Sequence, residues 1–382
     1  MGHKYVVFGA GRQGTAAIHD LLVNCEADHV RVAEPDARAA GTAQARLRSL
    51  CGSVAERVDF VATASASDLA GADVALSCAP YRFNPELTEL ALRCGVAFCD
   101  LGGNPQTVAR QREVAERAQA RTPVVPDCGV SPGLSNILAV HLATVHGADR
   151  IQVRCGGIPS TETAAGNPLK YKLLFDPQGL ISEYSGMVPV IRDGRLEHVE
   201  ALSVVEPFDA GRYECSPTSN NSPQVVEYLR SLGVREYDYM TIRYPGHWSI
   251  VRHWQDEGFL RGDAEADGRL LARLASDPAL HYAPQADRDR MILSVQGSAP
   301  TGSDPAMFRK HLGYSIDLPA DAATRFSAME LTTSWGITIV AHFLARNRGT
   351  PTLPTGFATP EQFMDTSWTI DKLARRIAAV RA

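Results

Sequence analysis

Residues 5–14 read Tyr5-Val-Val-Phe-Gly9-Ala-Gly-Arg-Gln-Gly14, an apolar run that ends on a glycine-spaced turn. Four apolar residues in succession suit a strand buried on both faces. Arg12 to Val23, with Ile18, Leu21 and Leu22 on one side, suits a helix directly after it. A G-x-G-x-x-G turn between strand and helix is a dinucleotide-binding turn: Gly9 permits the tight bend, Gly11 lets backbone N–H groups approach a pyrophosphate, and Gly14 lets helix and strand pack closely. Ala10, Arg12 and Gln13 fill the same turn and are expected beside the phosphates, where the helix N-terminus adds partial positive charge. Glu34 stands twenty residues past Gly14, at the end of the next apolar run. A carboxylate there can accept from the ribose hydroxyls and repels a 2′-phosphate, so NAD is expected over NADP. Asp36 is a rival for that role, and Arg38 offers the opposite charge.

Working outward, the same alternation continues. Val30–Glu34, Val58–Ala62, Asp73–Ser77, Val96–Asp100 and Pro123–Asp127 read as strands, with helical stretches between them. Asn84-Pro85 and Asn104-Pro105 each place a cap residue before a first-turn proline. Six strands interleaved with helices predict an α/β fold, a doubly wound parallel Rossmann sheet over residues 1–130, with the helix at 131–146 attached. Ser77-Cys78-Ala79-Pro80-Tyr81, Asp100-Leu-Gly102-Gly103 and Asp127-Cys128-Gly129-Val-Ser-Pro-Gly133 lie just past strand ends, the edge where ligands collect in open α/β sheets. Cys78, Ala79, Pro80, Asp100, Gly102, Cys128 and Gly129 are therefore expected near the cofactor, although each segment is also good turn chemistry. From 147 to 329 strand-like pieces, turns and aromatics predict an α+β substrate-binding or dimerisation domain. Ala320 to Asn347 reads as one long helix, and Thr359-Pro-Glu-Gln362 as a capping box opening the last one. These C-terminal helices (330–382) are expected to return to the first domain.

At 382 residues the chain exceeds what one hydrophobic core usually serves. A net charge of -5 argues against a nucleic-acid binder held by phosphate contacts. The longest apolar stretch, Trp335 to Leu344, falls short of the roughly 18 residues of a membrane span. The eight cysteines form no C-x-x-C pair, which fits neither a zinc site nor a disulfide framework, so no metal is expected. A reducing, cytoplasmic location follows from free thiols and from an N-terminus without a secretory pattern.

Gly9–Gly14, Asp100-Leu-Gly-Gly-Asn104 and Asp127–Asn136 together resemble the saccharopine dehydrogenase-like family. Gly156-Gly-Ile-Pro159, Asn167-Pro-Leu-Lys-Tyr-Lys172, Asp176–Tyr184 and Thr241-Ile-Arg-Tyr-Pro-Gly-His247 are similar to its lysine 6-dehydrogenase branch over most of residues 4–345. Residues 160–166 and 209–223 depart from that pattern. The resemblance implies NAD-dependent oxidative deamination of a primary amine at an amino acid's side-chain end, L-lysine foremost, by a homo-oligomer. Saccharopine or carboxynorspermidine dehydrogenase is the related alternative, and a non-catalytic nucleotide sensor the unrelated one. Hydride leaves only from a neutral amine, so a proton acceptor is required. Asp127, past a strand end, and His247, after Tyr244-Pro-Gly in a loop-like segment, are the candidates. Arg243 offers a fork for the α-carboxylate. Lys170 and Lys172 would share one face of a strand-like segment, with Tyr171 a possible hydrogen-bonding partner. For each cation a solvated surface position is the alternative.

Overall fold

The structure is a computed structural model that describes residues 2–220, 222–301 and 309–381. The chain divides into two compact units, Met1–Ile137 with Glu330–Ala382, and Leu138–Met329. In the first, strands β1 (His3–Phe8), β2 (Ala27–Ala33), β3 (Val58–Val61), β4 (Val74–Ser77), β5 (Ala97–Asp100) and β6 (Pro123–Val125) alternate with helices α1 (Arg12–Asn24), α2 (Ala37–Cys51), α3 (Ala66–Leu69), α4 (Asn84–Arg93) and α5 (Pro105–Arg117); the first turn of α6 (Leu134–His146) ends this segment and the rest of that helix belongs to the second unit. The sheet order is β15-β6-β5-β4-β1-β2-β3, with all pairings parallel, where β15 is Gly356–Phe357. The chain winds outward from β1 in one direction to β3 and then in the other to β6. That reversal opens a crevice at the carboxyl ends of β1 and β4.

Local chemistry explains the boundaries. Asn104 accepts the Thr107 N–H at 2.8 Å to cap α5, and Asp36 accepts the N–H groups of Arg38 and Ala39 to cap α2. Val6 and Phe8 of β1, Ala75 of β4, Phe98 of β5 and Val124 of β6 share one buried cluster with Ala91 of α4 and Ala115 of α5. Two later helices, α12 (Ala328–Arg346) and α13 (Thr366–Arg381), complete this unit. Arg376 of α13 grips Asp20 of α1 with two nitrogens, Nε to Oδ1 at 3.0 Å and Nη2 to Oδ2 at 2.7 Å, and Thr338 of α12 donates to the same carboxylate. Both charged partners are buried.

The second unit is built on a mixed sheet in the order β10-β11-β12-β7-β13-β14, from β7 (Arg150–Pro159), β10 (Glu206–Phe208), β11 (Tyr213–Pro217), β12 (Glu236–Arg243), β13 (Asp289–Pro300) and β14 (Arg309–Pro319); β8 (Met187–Arg192) and β9 (Arg195–Glu200) form a hairpin attached to β12. Its helices are α7 (Thr161–Ala164), α8 (Pro177–Glu183), α9 (Pro223–Ser231), α10 (His247–Asp256) and α11 (Ala264–Ser276). Leu180, Ile181, Trp248, Val251, Leu270 and Leu274 from α8, α10 and α11 make one core.

Four local expectations are corrected. The long helix starts at Ala328, not Ala320, because Asp321 accepts the N–H groups of Ala323 and Thr324 and Arg325 adopts a left-handed φ of 57°. The Thr359–Gln362 capping box exists but closes only a single 3-10 turn; α13 opens later, where Asp365 accepts the Trp368 N–H. Lys170 and Lys172 are in no strand, since Lys170 has a φ of 51°. His247 lies in no loop but begins α10.

Removing Arg376 leaves Asp20 buried without its cation. Arg376→Met is expected to cost about 3–5 kcal/mol of stability, read from the urea midpoint; an unchanged midpoint would show that the pair does not hold α13 in place.

Candidate functional site

At the end of β1 the chain bends at Gly9, whose φ is 91°. A side chain there would press on Ala79 N at 3.0 Å, and one at Gly14 would collide with the Gly9 carbonyl oxygen. These two glycines let α1 start immediately above the strand. Gly11, the N-cap, supplies no side-chain bond to the first turn of α1, and a Cβ built on it meets nothing within 4 Å. No side chain caps the first turn of α1 and the space beside Gly11 is open, which suits a phosphate at a helix N-terminus. Glu34 reaches back to it: Oε2 accepts the Ala10 N–H at 2.7 Å, and Oε1 accepts from Asp36 N at 3.0 Å. Asp36 is engaged as the α2 cap, so Glu34 is the acid at the turn. Arg12 donates to Glu330 of α12 at 2.6 Å. Gln13 keeps a buried Oε1 without a partner among the described residues.

The other predicted segments meet at the same sheet edge. Cys78, Ala79 and Pro80 follow β4, and Cys78 N donates to the Phe8 carbonyl at 2.8 Å. Asp100 is fully buried; its carboxylate accepts from Gly102 N at 2.7 Å, from Gln111 Nε2 at 2.6 Å and from the Asp127 backbone. Burial raises its pKa to about 6, and those donors oppose the rise. Asp100 thus ties the loop after β5 to the loop after β6. Asp127 is 3% exposed with a left-handed φ of 61°. Gly102 has a φ of 97°, and a Cβ there would lie 2.8 Å from Asp127 Oδ1, so this glycine makes room for that carboxylate. Cys128 is buried, its thiol pushed upward by that burial, with Sγ 3.2 Å from the Val125 carbonyl; Gly129 bridges Gly133.

In the second unit the structure brings Arg243, Tyr171 and His247 together but leaves the two lysines aside. Arg243 at the end of β12 donates from Nε to Tyr184 Oη at 2.8 Å, from Nη1 to the Ile242 carbonyl at 2.9 Å, and from Nη2 to Glu183 at 3.4 Å. Its guanidinium lies over the Tyr171 ring at 4.7 Å. Tyr184 Oη in turn is 3.0 Å from His247 Nε2, and His247 Nδ1 donates to the Leu169 carbonyl at 2.9 Å. The backbone acceptor fixes the proton on Nδ1, so Nε2 accepts from tyrosine. Burial, assisted by Arg243, lowers the His247 pKa to about 3. The ring is neutral near pH 7 with both nitrogens engaged, which corrects the picture of an accessible relay. Burial pushes the Glu183 carboxyl up while Arg243 pulls it down, and Thr241 donates to it at 2.8 Å. Lys170 donates to the Pro245 carbonyl, and Lys172 pairs with Asp287 at 3.5 Å.

Glu183, Tyr184 and Thr241 complete this network; the sequence offers Tyr184, like Tyr171, as a hydrogen-bonding partner for a substrate, but its hydroxyl is taken up by Arg243 and His247, and Glu183 and Thr241 carry no expected role. The signal was thin, since Glu183 is one acid on a short helix, sixty residues from its arginine.

Residues 129–378 match the family described as Saccharopine dehydrogenase C-terminal domain, and residues 5–125 the Saccharopine dehydrogenase NADP binding domain. Saccharopine dehydrogenase [NADP(+), L-glutamate-forming] of Saccharomyces cerevisiae is 27% identical over 346 residues, 84% of this chain and 73% of its own. Alpha-aminoadipic semialdehyde synthase of Arabidopsis thaliana is 23% identical over 220 residues, 50% of this chain and 20% of its own. The solved structure of apo histidine-tagged saccharopine dehydrogenase (L-Glu forming) from Saccharomyces cerevisiae shares the fold, with a TM-score of 0.71 over 98% of each chain at 17% identity. With a parallel nucleotide-type sheet at one end and a C-terminal match spanning well over half its length, the chain belongs to the saccharopine dehydrogenase family.

Proposed function

We propose that this chain is a nicotinamide-dependent amino acid dehydrogenase that oxidatively deaminates a primary amine at a side-chain end, with L-lysine as its substrate. The observation that carries the redox reading is the uncapped α1 turn at Gly11, facing open space, with Glu34 beside it. The turn fits a pyrophosphate, and Glu34 fits a ribose diol. When bound, the nicotinamide supplies a two-electron hydride acceptor. Hydride departs from Cε, the resulting iminium takes up water, and ammonium leaves to give the semialdehyde, which can close on its own α-amine to the cyclic imine.

The residues of the chain account for the remaining steps. Asp127, buried at the carboxyl edge of β6, takes the ammonium proton so that a neutral amine donates hydride, and then stabilises the cationic iminium. Its backbone is left-handed, and the glycine at 102 leaves room for its carboxylate. His247 holds Tyr184, and through it Arg243, in fixed orientation; it is a positioning residue. Tyr171 keeps a buried hydroxyl with no hydrogen-bond partner among the described residues.

Two observations bear on substrate choice. Among the described residues the buried arginines are already answered by carboxylates: Arg154 by Asp238, Arg243 by Glu183 and Arg376 by Asp20. A secondary amine carrying extra carboxylates needs spare cations, so this supports the smaller primary amine. The activity named for the Saccharomyces cerevisiae relative supports the second reading, a saccharopine-type substrate. Cofactor preference is similarly divided: Glu34 supports NAD, whereas the description of the N-terminal family domain supports NADP.

Initial rates with NAD or NADP against L-lysine and saccharopine, followed by nicotinamide absorbance at alkaline pH, test this reading. Reduction with lysine and NAD is expected; turnover of saccharopine alone overturns the substrate assignment. Asp127→Asn is expected to lower kcat by about 10²–10⁴-fold while NADH affinity stays within twofold, and an unaffected kcat would remove Asp127 from the chemistry. Gly11→Ala, which meets no atom of the protein, should keep the wild-type melting temperature yet weaken NADH binding by about tenfold or more. Gly14→Ala, which strikes the Gly9 carbonyl, should lower both. Equal NADH affinity in wild type and Gly11→Ala would sink the phosphate assignment.

A further inference from the structure

The segment after β6 carries a polar atom that the reaction above does not use. Asn136, in the first turn of α6, is 3% exposed, and its Nδ2 has no hydrogen-bond partner among the described residues. Its orientation is set by a line of hydroxyls. Ser135 Oγ donates to Asn136 Oδ1 at 3.2 Å, and Ser131 Oγ lies 2.9 Å from Ser135 Oγ. Since Ser135 commits its proton to the amide, Ser131 donates to Ser135. In this arrangement Asn136 Oδ1 is the acceptor and its NH2 is the end without a partner among the described residues. A buried donor without an acceptor is costly and uncommon, and it calls for an explanation.

Placement supplies one. In sheet order, Glu34 lies at the end of β2 on one side of β1, while β4, β5 and β6 lie on the other. A dinucleotide whose ribose is at Glu34 and whose phosphates are at Gly11 directs its nicotinamide half toward the loops after β4 to β6. Asn136 lies nine positions past Asp127, and the intervening backbone folds on itself: Leu134 N and Ser135 N donate to the Gly129 and Val130 carbonyls at 3.0 and 2.9 Å. The first turn of α6 is thus held to the same strand-end loop as Asp127, and its backbone donors at 134–137 are already bonded. The side-chain amide is what remains.

We propose that Asn136 is a ligand-binding residue whose side-chain N–H donates to a carbonyl-type oxygen, either the carboxamide oxygen of a nicotinamide or the carboxylate of an amino acid substrate. The inference rests on the dehydrogenase reading, and its test separates the two. Asn136→Leu removes the donor at similar volume. Asn136→Asp keeps the acceptor for Ser135 and loses the NH2, and it serves if the leucine variant folds poorly. For each, melting temperature, binding of NADH and of ADP-ribose (which lacks the nicotinamide), and KM for L-lysine are compared with wild type. Wild-type or higher melting temperature is expected, with one of two signatures. NADH binding weakened tenfold or more with ADP-ribose unchanged identifies the carboxamide; KM raised tenfold or more with both nucleotides unchanged identifies the carboxylate. Equal weakening of both nucleotides, a lowered melting temperature in both variants, or no change in any arm overturns the proposal. If wild type oxidises no amine, only the functional reading falls, and the NADH and ADP-ribose comparison alone decides for or against Asn136.

Discussion

The first unit depends on how closely α1 can approach the end of β1. With hydrogens as the only side chains at positions 9 and 14, the helix begins directly on the strand, and its N-terminus points across the reversal in strand order between β2 and β4. A methyl group at Gly14 would push the helix off the Gly9 carbonyl and swing its first N–H groups away. Everything else at that edge is arranged around this fixed point. Glu34 holds Ala10, Asp100 holds Gly102 and the backbone of Asp127, and Ser77 donates to Asn84 at 2.8 Å to set the turn after β4. Each loop is tied by a side chain from a strand end, the most rigid part of a parallel sheet.

The second unit solves a different problem, that of a cation in a core. Arg243 is buried, where an isolated charge would be prohibitive. Its charge is answered by Glu183, by Tyr184 Oη, by a backbone carbonyl and by the π face of Tyr171. Buried ion pairs of this kind seldom add net stability compared with apolar replacements. What they add is direction: Nε, Nη1 and Nη2 each donate to one acceptor, which links α8 and Tyr184 to the end of β12. The neutrality of His247 belongs to the same logic, since a protonated ring would place a second positive charge beside the guanidinium.

These two arrangements were unequally legible in the sequence. The glycine turn, the strand alternation and the Asn104-Pro105 start of α5 are local, and physical rules for turns, caps and periodicity reach them. The strings at 167–184 and 241–247 were also visible as dense polar segments, yet their meaning was not: Arg243 read as a free fork because Glu183 lies on another element, and His247 read as a loop residue because Gly246 at φ 93° both ends a turn and starts a helix. Lys170 has the strand-like neighbours Leu169 and Tyr171 but a left-handed backbone, which no periodicity announces. β15 is two residues long within a Pro- and Thr-rich stretch, so only its pairing with β6 makes it a strand.

The unfavourable features of the first unit are informative for the same reason. Asp127 holds a left-handed backbone that costs a non-glycine residue about 1–3 kcal/mol. Asp100 keeps a carboxyl fully buried, and Asn136 keeps a donor unpaired. All three occur within or beside the loops that follow β5 and β6. Selection for stability alone would relieve them with glycine at 127, an amide at 100 and an apolar residue at 136. Their coexistence at the sheet edge faced by an uncapped helix turn is what a surface shaped by a ligand requires: groups held ready at some expense, in positions that the fold already makes rigid.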